Sequence, residues 1–286
     1  MADTMNNRKT DGLLARVSEL PPIPQVAQKA LELIRDPNSS MTELANLLVM
    51  DEALAGLVLR WVNSAYYGLS QQVSTVHQAI VYLGQRTLHS LILAASVASY
   101  LNRPAPGYAL ERGDLWRHSL GMAAGARLLA SKFGSQAAEE AYHAGLLSDI
   151  GKLAFEVLLR NENTAAPDWN SGSFEEMEQA HFGVDHATLG AELARRWQLP
   201  LPLIDAIAHH HQPLKASEGA FLAAVVHVAD AAMLMLGVGL GSDGLQYNLD
   251  PVVCERLGWS DARLEELAER VLPFIEEADG FIQNRR

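Results

Sequence analysis

The stretch AGLLSDIGKL, residues 144–153, decides the fold class of this chain. Its large apolar residues recur three and four positions apart, the spacing of one face of an α-helix; they are Leu146, Leu147, Ile150 and Leu153. The same spacing returns between Leu54 and Trp61, whereas alternating β-branched runs bounded by hairpin turns do not occur in the sequence. The sequence therefore predicts an all-α protein.

Capping residues place several helix starts. Ser40 with Glu43, and Ser173 with Glu176, have the spacing of a capping box, in which the serine hydroxyl and the glutamate each bind a backbone N–H at the start of a helix. Asp114 and Asp185 are further N-cap candidates. We expect helices to begin directly after Ser40, Asp114, Ser173 and Asp185.

Two polar stretches interrupt the helical patterns. Residues 102–113 (NRPAPGYALERG) contain two prolines and two glycines, and residues 161–172 (NENTAAPDWNSG) have no apolar period. The first stretch is the better domain boundary. The sequence thus predicts a disordered lead without a signal peptide over residues 1–12, an N-terminal helical unit over 13–105, a second helical unit over 106–237, and a connector with an acidic amphipathic helix over 238–286.

Charge and cysteine content exclude some functions. The 286 residues carry a formal net charge of −12, the wrong sign for neutralising phosphates, so we expect no binding of duplex nucleic acid. A single cysteine, Cys254, allows neither an internal disulfide nor a cysteine zinc site, which is typical of a reducing, cytoplasmic location. Any metal ion would be held by histidine and carboxylate.

Residues 220–241 (AFLAAVVHVADAAMLMLGVGLG) are long and apolar enough to resemble a membrane span. However, His227 and Asp230 lie near the middle, where a carboxylate raises the free energy of insertion by roughly 2.5–3.5 kcal/mol, and no lysine or arginine lies within the stretch. We therefore predict a helix buried in the protein and no membrane insertion. A buried Asp230 then requires a partner.

Histidines and one Asp–Lys pair are the candidates for chemistry. His118 or His186 alone is most often a surface or hydrogen-bonded residue, and three consecutive histidines at 209–211 spread over about 200° of a helix, so that at most two can address one site. Asp149 and Lys152 share one side of the helix predicted for residues 144–153, opposite its leucines. Two interpretations stay open for this pair: a site for a metal and an anion, or a surface ion pair contributing about 0.2–0.5 kcal/mol.

Eight motifs follow one another as in the HDOD family, the HD-related output domains of bacteria, which this chain resembles over about residues 13–213. They are LPPIP (20–24), MDEA (50–53), NSAYYG (63–68), AIVYLG (79–84), LWRHS (115–119), AGLLSDIGK (144–152), DHATLG (185–190) and WQL (197–199). The resemblance implies an N-terminal helical unit packed on a degenerate HD-type domain. That domain is similar to the HD superfamily of metal-dependent phosphohydrolases.

The resemblance also implies a set of metal ligands: His118, Asp149, His186, His210, His211 and Asp230. Lys152 matches the superfamily's phosphate-binding lysine. Ser148 stands where the superfamily has the histidine of its His-Asp pair, and a serine hydroxyl is a poorer ligand than imidazole. The segment after His211, QPLKAS, lacks the Gly-Tyr-Pro signature of the cyclic-dinucleotide hydrolases.

We therefore expect a non-catalytic output or adaptor module of bacterial signal transduction that acts by binding a protein partner. No cofactor is expected beyond a possible single divalent metal ion. The alternative is a metal-dependent phosphohydrolase with an incomplete metal site. The sequence leaves the oligomeric state open.

Overall fold

The computed structural model describes residues 25–36, 39–49, 52–162, 173–241 and 248–283. These residues form helices and no β-strand, which confirms the all-α prediction; one isolated antiparallel bridge joins Ala105 and Leu110. The α-helices are α1 (Gln25–Arg35), α2 (Met41–Val49), α3 (Glu52–Val62), α4 (Val76–Leu101), α5 (Asp114–Ala130), α6 (Ser135–Leu147), α7 (Ile150–Glu162), α8 (Phe174–Phe182), α9 (His186–Arg196), α10 (Leu201–His209), α11 (Ala220–Met235), α12 (Pro251–Leu257) and α13 (Asp261–Gln283).

The helix starts predicted after Ser40, Ser173 and Asp185 are confirmed. Helix α5 begins one residue earlier than predicted, because Gly113 is its N-cap and the Asp114 carboxylate accepts from the Glu111 amide instead. The Ser40 hydroxyl accepts from the Glu43 amide at 3.1 Å while the Glu43 carboxylate accepts from the Ser40 amide at 2.8 Å. Ser173 and Glu176 form the same reciprocal box ahead of α8. The carboxylate of Asp185 accepts from the Thr188 amide at 2.7 Å, so that α9 begins at His186.

Helix α4 organises the N-terminal helices, because α1, α2 and α3 all pack against it. Gly84, with a φ of 78°, interrupts the helix, and most of the half that follows it is buried. Trp61 of α3 stacks on Trp116 of α5 with ring centroids 5.6 Å apart. This apolar contact joins the N-terminal helices to those that follow residue 113.

Helices α5, α6 and α11 form the centre of the remaining structure, with α13 packed on α5 and α10 on both α9 and α11. Helix α11 is buried along most of its length, and Asp230 finds its predicted partner in His118 of α5, whose Nε2 lies 2.9 Å from Oδ1. Among the described residues, no helix has the length and apolar character needed to cross a membrane.

The segment of residues 144–153 differs from its predicted form. Instead of one helix, α6 ends at Leu147, Ser148 and Asp149 form a turn, and α7 begins at Ile150. The polar side is not a surface either, since Asp149 and Lys152 are 2% and 7% exposed. This side is buried because Gly145 has no side chain. A Cβ at Gly145 would lie 2.7 Å from the carbonyl oxygen of Met122, so α5 packs directly on this side.

The predicted acidic helix of the C-terminal region is α13, which continues to Gln283. The predicted disordered lead over residues 1–12 and most of the polar stretch at 161–172 lie outside the described residues. The division into units at residues 105 and 237 stays a prediction.

Candidate metal site

Five elements supply the residues that the resemblance singled out. Helix α5 carries His118, the α6–α7 turn carries Asp149, and the first residue of α9 is His186. His210 and His211 follow the last residue of α10, and Asp230 lies within the buried part of α11. Residues far apart in sequence thus meet where five elements pack together.

Four of these residues form the four-donor cluster: Asp149, His186, His210 and His211. One ligand atom from each lies within 4.8 Å of the corresponding atoms of the others. Oδ1 of Asp149 is 3.3 Å from Nε2 of His186 and 3.9 Å from Nε2 of His210. Nε2 of His186 is 2.9 Å from Nε2 of His211.

Each of the three imidazoles in the cluster is held through its other nitrogen. Nδ1 of His186 donates to Glu178 at 2.8 Å, and Nδ1 of His211 donates to Glu175 at 2.7 Å. Nδ1 of His210 donates to the carbonyl oxygen of Ile207 at 2.8 Å. These acceptors carry no proton of their own, so the proton belongs on Nδ1 and each Nε2 is left to face the cluster.

The cluster fits a divalent first-row metal ion. Nε2 of His210 is buried and has no hydrogen-bond partner. The facing Nε2 atoms of His186 and His211 require a cation between them, either a proton or a metal ion. Two nitrogen ligands about 2.0–2.1 Å from one ion at about a right angle stand about 2.9 Å apart, which is the separation observed. Three imidazoles and a carboxylate suit Zn²⁺, Fe²⁺ or Mn²⁺.

Electrostatics separate the protonation states of the cluster. Burial opposes ionisation of Asp149, but the neighbouring Lys152 and His186 hold its pKa well below the usual range. Burial also opposes protonation of His186, yet the charge of Glu178 holds its pKa well above the usual value. At His210, burial and then the adjacent imidazoles depress the pKa well below its usual value. Of the three imidazoles, His210 is therefore held neutral, whereas His186 must give up its Nε2 proton when it binds a metal ion.

His118 and Asp230 behave differently, because they satisfy each other. Nε2 of His118 contacts Asp230 at 2.9 Å and Asp149 at 3.7 Å, while its Nδ1 bonds the carbonyl oxygen of Val238 at 2.9 Å. Burial raises the pKa of Asp230, but the hydrogen bond and the charge of His118, together with the charge of His211, lower it to about 2. This His118–Asp230 pair shares Asp149 with the four-donor cluster.

Ser148 contributes nothing to either group in this structure. Its buried hydroxyl donates to the carbonyl oxygen of Ala144, in the preceding helix α6, at 2.7 Å. The position where the superfamily has an imidazole therefore directs its polar atom away from Asp149.

A cavity of about 90 Å³ adjoins the cluster, lined by His118, Lys152, His186, His211 and Asp230 among others. Nζ of Lys152 lies 3.0 Å from Oδ2 of Asp149 and 5.3 Å from the ring centroid of Phe174. Gly239 closes part of this cavity, because a Cβ there would lie 2.5 Å from Cβ of His118. The space suits a few water molecules or one phosphate-sized group.

Several sequence expectations have definite outcomes. The Asp149–Lys152 ion pair exists but is buried, and His186 is fully buried rather than solvated. Of the three consecutive histidines, His209 pairs with Asp205 at 2.9 Å, outside the cluster. The sequence reasoning missed Glu175 and Glu178. Glu175 lies within a recognised capping box, but nothing in the spacing of either residue pointed to a histidine on another helix.

Known proteins share this sequence pattern and this fold. Residues 20–213 match the family model of the HDOD domain. The crystal structure of an HDOD domain protein of unknown function from Geobacter sulfurreducens superposes with a TM-score of 0.77 and 26% identity, covering 98% of this chain and 99% of that one.

Two curated bacterial proteins match part of their own length. An uncharacterised protein of Treponema pallidum (strain Nichols) is 27% identical over 221 residues, which are 75% of this chain and 42% of that protein. The cyclic di-GMP phosphodiesterase CdgJ of Vibrio cholerae is 30% identical over 128 residues, 43% of this chain and 28% of that protein. The chain spans less than half the length of these two relatives. The fold and the family match together show that this chain belongs to the HDOD domain family.

Proposed function

We propose that this chain is a non-catalytic signalling module that binds a protein partner and whose four-donor cluster holds a single divalent metal ion. The observation that carries the proposal is the asymmetry of the site. The four-donor cluster presents an unpartnered, buried imidazole nitrogen, whereas His118 and Asp230 are already engaged with each other. The four-donor cluster can therefore accept an ion, whereas the His118–Asp230 pair already uses its donors internally.

This asymmetry argues against two-metal hydrolysis. That mechanism needs two ions about 3.5–4 Å apart to clamp the attacking and leaving oxygens. A second ion would have to use His118, Asp230 and the shared Asp149, with no imidazole from position 148. A single ion in the cluster would instead supply a fixed positive charge that links the α6–α7 turn to α9 and to the end of α10.

One observation favours the alternative, a phosphohydrolase that works with one ion. Lys152 contacts Asp149 and lines the same cavity, the arrangement expected for holding a phosphate group beside a metal. However, about 90 Å³ is too little for a nucleotide, and Gly239 packs against His118. The small volume of the cavity supports the binding-module interpretation over the enzyme.

Family membership supports a role in signalling, and the relative CdgJ is named as a cyclic di-GMP phosphodiesterase. The match covers only 28% of that protein, so its named activity is not transferred to this chain. Exposed apolar side chains at Val81 and Tyr82, in the kinked first half of α4, are of the kind that contact partner proteins.

Elemental analysis combined with a hydrolysis assay tests the proposal. Protein purified without chelator should contain about one Zn²⁺, Fe²⁺ or Mn²⁺ per chain, and His211→Ala should lose it. His209→Ala is the matched control, because His209 belongs to the same run but lies outside the cluster. Neither wild type nor control should hydrolyse bis(p-nitrophenyl) phosphate above the rate of the buffer blank.

The non-catalytic role and the metal site each have their own contrary result. Metal-dependent hydrolysis by wild type that His211→Ala abolishes and His209→Ala preserves would establish the phosphohydrolase instead. Equal metal content in wild type and His211→Ala would show that the ion is not held by the cluster.

A further inference from the structure

We infer that Glu178 is the positioning residue of this site: it fixes the ring of His186 so that Nε2 faces the cluster, and Tyr108 holds Glu178 in place. The inference rests on the metal site proposed above. Glu178 lies outside the proposed set of metal ligands and acts on the metal site through His186.

The contacts of Glu178 are unusual for a carboxylate on a surface-facing helix such as α8. Glu178 is 0% exposed. Its Oε2 accepts from the backbone N–H of His186 at 2.6 Å and from Nδ1 of the same residue at 2.8 Å, and its Oε1 accepts from the Tyr108 hydroxyl at 2.7 Å. Both oxygens are used, and two of the three donors belong to one histidine.

This double contact fixes both the position and the orientation of the imidazole. The backbone amide anchors His186 where α9 begins, and the bond to Nδ1 fixes the rotation of the ring. A carboxylate at Nδ1 requires a proton on that nitrogen, so Nε2 is the nitrogen left to bind a metal ion. Carboxylate–histidine–metal arrangements of this kind set ligand orientation, and their loss typically lowers metal affinity roughly 10–100-fold.

Tyr108 completes the arrangement from the segment between α4 and α5. It is fully buried, and its ring packs edge-on against Phe174 with centroids 5.1 Å apart. Its hydroxyl occupies the second oxygen of Glu178, which prevents the carboxylate from rotating away from His186. The removal of this one hydroxyl should therefore weaken the hold on His186 without changing the apolar packing.

Glu156 provides a matched control. It is also a buried glutamate, 5% exposed, and it binds the same segment by accepting from the Gly107 amide at 3.0 Å. It lies outside the cluster and the cavity. A general effect of replacing a buried glutamate near this segment would appear equally at Glu156.

The first measurement is Co²⁺ binding, followed by its visible absorption, in wild type, Glu178→Met, Glu178→Gln, Tyr108→Phe and Glu156→Met. We expect Glu178→Met to bind Co²⁺ roughly 10–100-fold more weakly, with an altered spectrum. Glu178→Gln, which keeps an acceptor oxygen, should recover part of the loss and remains informative where methionine prevents folding. Tyr108→Phe should show a smaller loss, and Glu156→Met should stay within about twofold of wild type, because Glu156 belongs neither to the cluster nor to the lining of the cavity.

The second measurement needs no metal. In metal-free protein, ¹H–¹⁵N spectra of the imidazole groups should show a slowly exchanging Nδ1–H for His186 in wild type and Glu156→Met, and not in Glu178→Met. Equal Co²⁺ affinity in wild type and Glu178→Met, or a protected Nδ1–H that survives in Glu178→Met, would overturn the positioning role. A wild type that binds no Co²⁺ but keeps the Glu178-dependent Nδ1–H would refute the proposed ion and leave the role of Glu178 intact.

Discussion

At the scale of single residues, we expect position 148 to decide whether the site holds one ion or two. Ser148 directs its hydroxyl to Ala144, and the neighbouring His118–Asp230 pair shares Asp149 with the cluster. Ser148→His would add an imidazole beside an existing carboxylate, with the other donors already held by the fold. We expect calorimetric titration with Mn²⁺ or Zn²⁺ to show a second binding event, raising the stoichiometry from one ion per chain to two.

Two further variants test whether the second ion depends on the new imidazole and on Asp149. Ser148→Ala keeps a small side chain without the hydroxyl and should bind one ion, as wild type does. Asp149→Asn in the Ser148→His background should remove the second ion and weaken the first, because both groups of donors depend on that carboxylate. A stoichiometry of one in Ser148→His would show that the His118–Asp230 pair does not open to a metal.

His143 gives the protein a pH dependence that is separate from the candidate metal site. It lies among Ser90, Glu139, Arg127 and His89, with Nε2 2.9 Å from the Ser90 hydroxyl. Burial lowers its pKa to about 4, although Glu139 acts in the opposite direction. Between pH 6.5 and 4 the unfolded chain takes up a proton that the folded chain does not, so the free energy of unfolding falls as the pH falls.

Comparison with His143→Gln isolates this contribution from all other titrating groups. The difference in unfolding free energy, wild type minus variant, should decrease by up to about 1.4 kcal/mol per pH unit between pH 6.5 and 4. Urea denaturation at pH 7, 6 and 5 measures it. A difference that stays constant over this range would mean that His143 titrates alike in the folded and unfolded chains.

At the scale of elements, Gly151 sets how closely α7 approaches α9. A Cβ at this position would overlap the carbonyl oxygen of His186, which is the first residue of α9 and a member of the cluster. Gly151→Ala should therefore destabilise the fold by at least about 1–3 kcal/mol and weaken metal binding through His186. Gly56→Ala in α3 is the control, since no atom lies within 4 Å of the added Cβ; it should stabilise by roughly 0.5–1 kcal/mol. Equal thermal stability of the two variants would contradict the close approach.

Helices could be predicted from the sequence where local signals decide them, and not where tertiary packing does. The boxes at Ser40 and Ser173 gave correct starts because capping depends on residues three apart. The break at Ser148–Asp149 carried no such signal, since the apolar period continues through it without interruption. Its polar side is buried because α5 packs against Gly145, a contact that no local pattern contains.

At the scale of the whole molecule, the site depends on contacts between distant segments. The resemblance supplied the ligand set, and the sequence alone supplied only the limit that two of the three consecutive histidines can share a site. Glu178 lies on a different helix from His186, and Val238, which accepts from His118, is 120 residues away from it. Contacts between residues so far apart in sequence can be recognised only in the folded structure.

A buried polar network also connects the N-terminal helices to the rest of the structure. The guanidinium of Arg127 in α5 donates to Glu139 of α6 at 2.6 Å and to the Tyr67 hydroxyl, in the loop between α3 and α4, at 3.0 Å. Glu139 also accepts from the hydroxyls of Thr87 and Ser90 in α4. Burial opposes ionisation of Glu139, but Arg127 lowers its pKa below the usual value, so the two groups form an ion pair.

The energetic role of this pair follows from its burial. Glu139→Gln leaves the Arg127 charge without its counter-ion in a site where both side chains are 11% exposed, and should destabilise the protein by about 3–5 kcal/mol. The double variant Arg127→Met/Glu139→Leu removes both charges and should recover much of that loss, because desolvation offsets most of the attraction in a buried pair. The pair Arg195–Glu192, whose arginine is exposed, has a similar separation, 2.7 Å, and Glu192→Gln should change stability by less than about 1 kcal/mol. Denaturant unfolding monitored by circular dichroism measures all three, and a double variant no more stable than Glu139→Gln would show that the attraction within the pair exceeds its desolvation.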